Sequence, residues 1–389
     1  MIYLFILILL LCLTLRYDIN GKTKYRSQWY IILLVIFILV AGLRWRLMVD
    51  TPNYIERFYH RTPLLKDYSF DIGKAPFYTL INSIVLTLGG RFYVVQLIEA
   101  SFVNILVFKY FKRHSKYIFT CLFFYYIMCY TGLSMETMKA SFSVVLCLYA
   151  NDYILDKKWI KGYVLFIIAF MFHAQTLVMF VLPLMFFLRL NKTGGIILLC
   201  GFFIGVFLNV SLGDYVMYFD FDDAIEDKVS GYAESDRFGG AKDSMTSLIT
   251  QILMILYSIV SILVLRKHGQ NSSLLRLERF VMLGLFFSMI RFNFDIAYRF
   301  LDYFRIHIIL FYSEFMMLMI MRAKKLDKYV ACVRAFVAFI PFFFFVGLGK
   351  YNKRHTLFPY SSVINRKIDS YREAKYFQSD RPGPNIDEY

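Results

Sequence analysis

The sequence predicts an all-α, polytopic integral membrane protein, and three observations predict it. Hydrophobic residues fill 59% of the 389 positions and charged residues only 19%, whereas a soluble domain is about half apolar and a quarter charged. Apolar runs close to the length of a membrane span recur along the whole chain. The runs are continuous rather than alternating, which argues against a β-barrel. The expected fold is about 12 transmembrane helices and one short re-entrant or interfacial helix.

The spans expected in order are 2–15, 29–43, 92–111, 117–130, 138–155, 163–176, 177–190, 194–212, 247–265, 280–294, 300–321 and 329–348. The first lacks a basic leading region and a small-residue cleavage site, so it is expected to be a retained span. Residues 75–88 are apolar but short, and are expected to lie re-entrant or interfacial on the outer face. Thr51 and Pro52 look like a helix cap and first turn, with Tyr54, Ile55 and Phe58 on one face of a helix lying on the membrane.

Basic clusters at Lys22/Lys24/Arg26, Lys109/Lys112/Arg113/Lys116, Lys157/Lys158/Lys161, Arg266/Lys267 and Arg322/Lys324/Lys325 mark cytoplasmic loops. Both termini then fall outside the cytoplasm. The net charge of +16 is explained by these loops. It is scattered rather than clustered, so no nucleic-acid partner is expected. The six cysteines lie in apolar segments without metal-type spacing, and no metal site is expected. The expected organisation is one transmembrane domain, 1–349, with extracytoplasmic loops 44–91 and 214–246, followed by a polar C-terminal tail, 350–389. The tail's last residues, 379–389, read as disordered.

With that topology, Arg44, Arg46, Asp50, Lys139, His173, Arg291 and Arg299 fall at the outer boundary, far apart in sequence. Charge at membrane depth is costly and is usually kept for a purpose. His173 reads either as a helix–helix hydrogen-bond partner or as a general base. Lys139 reads either as a snorkelling lysine or as a cation for phosphate. Arg291, Asp295 and Arg299 share one face of a continuous helix, as an ion-pair ladder or as an anion site. Glu99 and Glu314 read as structural hydrogen-bonding groups. The acidic loop around 220–227 lacks a full calcium-loop pattern. No P-loop, serine-hydrolase elbow, zinc-protease or dinucleotide motif occurs.

Four patches carry a likeness to a known family. They are G-L-R-W…D-T-P-N-Y from Gly42 to Tyr54, K-A-P-F-Y-T-L-I-N from Lys74 to Asn82, K-A-S-F-S-V-V-L-C-L-Y-A with F-H-A-Q-T-L-V-M-F-V-L-P around Lys139 and His173, and Y-R-F-L-D-Y-F around Arg299, with a late Pro359-Tyr360. In these the chain resembles the EpsG-like, Wzy-type polysaccharide polymerases of bacterial envelopes. It departs from them at Lys139-Ala140, where the family usually has Arg-Gln, and at Lys74, where it usually has an acid.

The resemblance implies a GT-C-like membrane glycosyltransferase of the cytoplasmic membrane with its active site facing outward. It would join undecaprenyl-diphosphate-linked glycan repeat units, donor to acceptor, as in O-antigen, capsule or exopolysaccharide synthesis. No cofactor is implied. The partners are the lipid bilayer and the lipid-linked glycans, with a flippase and a chain-length regulator as candidates. Arg44, Lys139 and Arg299 would bind the diphosphate, with Arg46 and Arg291 as second choices. His173 or Asp50 would be the base, and Asp50 alternatively orients the arginines. A lipid-linked oligosaccharide flippase and an O-antigen-ligase-type enzyme are the rival readings. A flippase built from repeated halves would show internal symmetry, and the sequence shows none.

Overall fold

The computed structural model describes residues 2–187, 191–207, 245–268, 272–290, 297–326, 328–333 and 357–367. The described residues are helical, without a named strand. They fall in two compact units, 1–180 with 316–389, and 181–315.

The first unit opens with α1 (Ile2–Leu13), which continues through a π-helical turn to Ile19. It is followed by α2 (Arg26–Gly42), a short α3 (Thr51–Glu56), α4 (Pro76–Thr87), α5 (Phe92–His114), α6 (Ile118–Tyr125), α7 (Met138–Leu155) and α8 (Trp159–Phe172). Between α6 and α7 lie two further π-helical turns, Tyr126–Tyr130 and Gly132–Glu136. Such turns are rare and gather at functional sites.

Three helices set the frame. Helices α2, α5 and α7 each run between the same two ends of the unit. Helix α2 starts at the first end, beside Asp18, and finishes at Gly42. Helices α5 and α7 start at the second end and finish at the first, where His114 and Asp152 meet at 2.9 Å. Gly42 lets α2 close on α5. A Cβ built there would stand 2.9 Å from the Leu97 Cα and 2.7 Å from its Cδ1, so any side chain would push the two helices apart. The basic clusters near Arg26, Lys112 and Lys157 share the first end. Arg44, Arg91 and Lys139 share the second.

The first end is held by two buried carboxylates. Asp18 Oδ2 accepts from the Thr120 amide at 2.7 Å and its hydroxyl at 2.9 Å, and Oδ1 accepts from Arg26 at 3.2 Å. Asp152 engages His114, Arg113 at 3.3 Å and the Tyr110 hydroxyl at 3.4 Å.

The second unit contains α9 (Lys192–Phe207), α10 (Met245–His268), α11 (Ser272–Leu275), α12 (Glu278–Ile290), α13 (Ala297–Leu301) and the start of α14 (Arg305–Lys325). Helix α9 packs on α12, with the Phe286 ring 2.8 Å from where a Gly201 Cβ would stand. Glu278 is buried and ion-paired to Arg266. Ser258 and Tyr312 share a hydrogen bond of 2.8 Å.

Several expected elements differ in detail. Among the described residues, three helices are long and apolar enough to cross a membrane: Ile2–Ile19, Phe92–His114 and Arg305–Lys325. Arg26–Gly42, Pro76–Thr87, Ile118–Tyr130 and Trp159–Phe172 are apolar but shorter. Helix α4, at 12 residues, rises only about 18 Å, well short of a hydrocarbon core of roughly 30 Å. The span expected at 163–176 ends at Phe172, because His173 turns extended and a 3-10 helix, Ala174–Phe187, follows. The span expected at 300–321 breaks at 302–304, where Asp302 pairs with Arg305 at 3.1 Å. Thr51 is not a cap. It is the first helical residue, and its hydroxyl donates back to the Leu47 carbonyl. The acidic loop at 214–243, most of the span at 329–348, and the tail outside 357–367 lie outside the described residues.

Candidate functional site

The chain leaves α2 at Gly42 and makes a tight, irregular turn before α3. Arg46 and Met48 adopt left-handed backbone, φ 48° and 76°. Side chains other than glycine seldom adopt it, and the cost is roughly 1–3 kcal/mol each, met only where the surroundings enforce it. Here they do. Leu47, Met48 and Thr51 are buried. An isolated antiparallel bridge joins Arg44 to Ser362, with Trp45 N–H donating to the Ser361 carbonyl and Val363 N–H to the Leu43 carbonyl, both at 2.9 Å.

That turn forms one wall of a pocket of about 350 Å³, counting its open mouth. Arg44, Trp45 and Arg46 line it from the turn, Ile55 and Tyr59 from the segment after it, and Arg91, Phe92, Tyr93 and Gln96 from the start of α5. Three arginines and three polar aromatic residues therefore line one pocket. Tyr59 also accepts from the Phe92 amide at 3.4 Å, tying the two walls together. Burial pushes its phenol above the ordinary range, so it stays a neutral hydrogen-bonding group.

Arg44 is the centre of this arrangement. It is 1% exposed. Its Nη1 donates to the Ala41 carbonyl, while Nε and Nη2 are buried with no hydrogen-bond partner among the described residues. A guanidinium offers five donors in a planar fork suited to carboxylate or phosphate. Leaving buried donors unmet costs about 1–3 kcal/mol each, so the arrangement favours an acidic or oxygen-rich ligand. Glu99, Tyr130, Tyr78 and Tyr360 lie within its electrostatic reach. Glu99 is wholly buried. Ser141 Oγ donates to its Oε1 at 2.7 Å, and Oε2 has no partner among the described residues.

A second layer of residues lies beside the pocket. Lys139 Nζ sits over the Tyr78 ring, 5.4 Å from its centroid. The Tyr78 hydroxyl contacts Met138 Sδ at 3.8 Å, and the Lys139 amide bonds the Tyr54 phenol. Burial pushes the Tyr54 phenol up, and the nearby Asp50 carboxylate adds to the shift. Asp50 precedes α3 without capping it through its side chain. His173 follows Phe172, whose ring stacks on Phe142 at 4.7 Å and 10° in the apolar cluster that also holds Tyr78 and Met138.

The structure thus gathers Arg44, Arg46, Asp50 and Lys139 at one end of the first unit, with His173 adjoining through Phe172. Arg299 lies on α13 in the second unit. Arg291 and Asp295 lie outside the described residues, and the helix expected to carry them in register with Arg299 is described only up to Ile290 and from Ala297. Arg91, Tyr59 and Tyr93 were not expected from sequence. The available signal was Arg91's place just before a long apolar helix, following Gly89-Gly90. Glu99, read from sequence as a structural hydrogen-bonding group, accepts from Ser141 and also lies within electrostatic reach of Arg44.

Neither a curated protein nor a solved structure matches the chain. Residues 27–362, which include the turn, the pocket and the Ser361–Ser362 contact, match the EpsG family, and the chain belongs to that family.

Proposed function

We propose that the protein is a polysaccharide polymerase, a membrane glycosyltransferase of about 12 helices that joins undecaprenyl-diphosphate-linked repeat units at the outer face of the cytoplasmic membrane. The observation that carries this reading is the pocket with three arginines, one buried with two unused donors. Membership of the EpsG family supports it.

The reaction needs little beyond what such a site supplies. A hydroxyl of the acceptor glycan attacks the anomeric carbon of the donor's first sugar. The bond from that carbon to the diphosphate oxygen breaks, and the electron pair leaves with the lipid diphosphate. Negative charge grows on the leaving group, and fixed guanidinium donors stabilise it where it develops. Arg44, Arg46 and Arg91 take this role, with Lys139 as a further cation. The hydroxyl proton passes to His173 or Asp50. Tyr59, Tyr93 and Trp45 offer flat faces and hydroxyls suited to a sugar.

The test is direct. Purified full-length protein in lipid vesicles, supplied with undecaprenyl-diphosphate-linked repeat units, should yield longer glycans and release undecaprenyl diphosphate in step. Absence of any elongation would overturn polymerisation. If Arg44→Ala, Arg46→Ala and His173→Ala all preserve chain length in cells, the residue assignments are wrong.

A further inference from the structure

The late segment 357–366 is separated from the pocket by some three hundred residues, yet it is built against the pocket's wall. Leu357 and Ser361 are fully buried. Two backbone hydrogen bonds clamp it to Leu43 and Trp45, on either side of Arg44. The Tyr360 hydroxyl donates to the Val40 carbonyl at 3.1 Å, in the last turn of α2. Tyr3 of α1 packs its ring edgewise against Phe358 and Tyr360, at 5.2 and 5.8 Å. The Arg366 guanidinium lies 5.0 Å from the centroid of Trp45, which also carries Arg46 at 5.3 Å.

These contacts converge on the residues that carry the strained turn. A left-handed Arg46 and Met48 persist only if something outside the turn holds them. The strap supplies a backbone bridge, a half-buried hydroxyl bond and a cation on the indole between Arg44 and Arg46. We propose that segment 357–366 positions the anion-binding wall, and that Tyr360 and Arg366 are positioning residues for diphosphate binding although neither lines the pocket. This rests on the diphosphate reading given above.

The experiment uses the full chain in detergent with Trp29→Phe and Trp159→Phe, so that Trp45 is the single indole. Its emission is followed during titration with undecaprenyl diphosphate and, as the uncharged control, undecaprenol. In this background, Tyr360→Phe and Arg366→Leu should each weaken diphosphate binding about three- to tenfold, leave undecaprenol binding unchanged, and make Trp45 more accessible to iodide without ligand. Arg366→Lys should recover part of the affinity, because it keeps a cation on the ring. A merely structural strap would instead change the yield of folded protein and leave the affinity of the folded fraction alone. Parental diphosphate affinity of the folded fraction in both variants overturns the proposal, whatever the iodide quenching. A parent that binds the diphosphate no better than the alcohol overturns the proposed function, and iodide quenching alone then decides whether the strap holds the wall.

Discussion

The two ends of the first unit's helices both bury charge, and they treat it differently. At the end near Arg26 and His114, each buried carboxylate uses both oxygens. Asp18 takes two bonds from Thr120 and one from Arg26, and Asp152 takes His114, Arg113 and Tyr110. At the other end, Glu99 uses one oxygen and Arg44 one nitrogen. All four groups are buried. The carboxylates at the first end are completed by the fold, although the Arg26 Nε beside Asp18 is also buried without a hydrogen-bond partner among the described residues. At the other end a fully buried guanidinium keeps two of its nitrogens without a hydrogen-bond partner among those residues, and that end opens into a pocket.

The sharpest way to break this contrast is to remove one charge from each end. Asp18→Ala should cost about 1–3 kcal/mol of stability, since it leaves the buried Thr120 amide and hydroxyl without their acceptor. The lesion should show as a lowered melting temperature in detergent, with turnover per folded molecule kept. Arg44→Ala should do the reverse. Elongation should fall by about 10²–10³, the usual cost of losing a donor to a developing charge, with a smaller effect on melting. Arg44→Lys should recover little, because a point charge cannot replace the fork. If Arg44→Ala elongates normally and only melts earlier, the pocket end is a second clasp.

Part of this arrangement was legible in the sequence. Arg44, Arg46, Asp50 and Lys139 stand out because charge beside long apolar runs is unexpected, and the basic loops assign them one side. The rest was hidden for physical reasons. Arg91 looks like any loop cation, since its value comes from the turn opposite it. Glu99 reads as a structural acid, because sequence cannot say which oxygen is satisfied. The π-helical turn at Tyr126–Tyr130 interrupts an apolar run that shows no change in hydropathy, whereas the break at 302–304 coincides with the charges of Asp302 and Arg305. The polar tail conceals a docked strap, because its hold on Leu43 and Trp45 is made by backbone atoms that every residue carries.

A milder lesion sharpens the comparison inside the pocket itself. Arg91 is exposed at the rim, while Arg44 is buried beneath it. Exposed charge pairs are worth only about 0.2–1 kcal/mol and are screened by salt. Arg91→Ala should therefore raise KM about two- to fivefold at low ionic strength, leave kcat nearly unchanged, and matter less as salt is added. Arg44→Ala should be insensitive to salt. Equal salt dependence of the two variants would place both guanidiniums in the same solvent environment, against the burial difference.

The smallest expected effect concerns the strap at high pH. Burial raises the Tyr360 phenol from its ordinary value of 10.0 to about 12, with Arg44 opposing the shift. A raised pKa means that the docked strap favours the neutral phenol, which donates to Val40. Its contribution is fully present below about pH 10 and is lost as pH climbs through about 12. Across that window Trp45, as the single indole, should become more accessible to iodide. The Tyr360→Phe variant should already be partly accessible at neutral pH and should change less across the window, since it has no phenol to ionise. If the variant and its parent respond alike to alkali, another group releases the strap, and the hydroxyl bond to Val40 does not hold the wall.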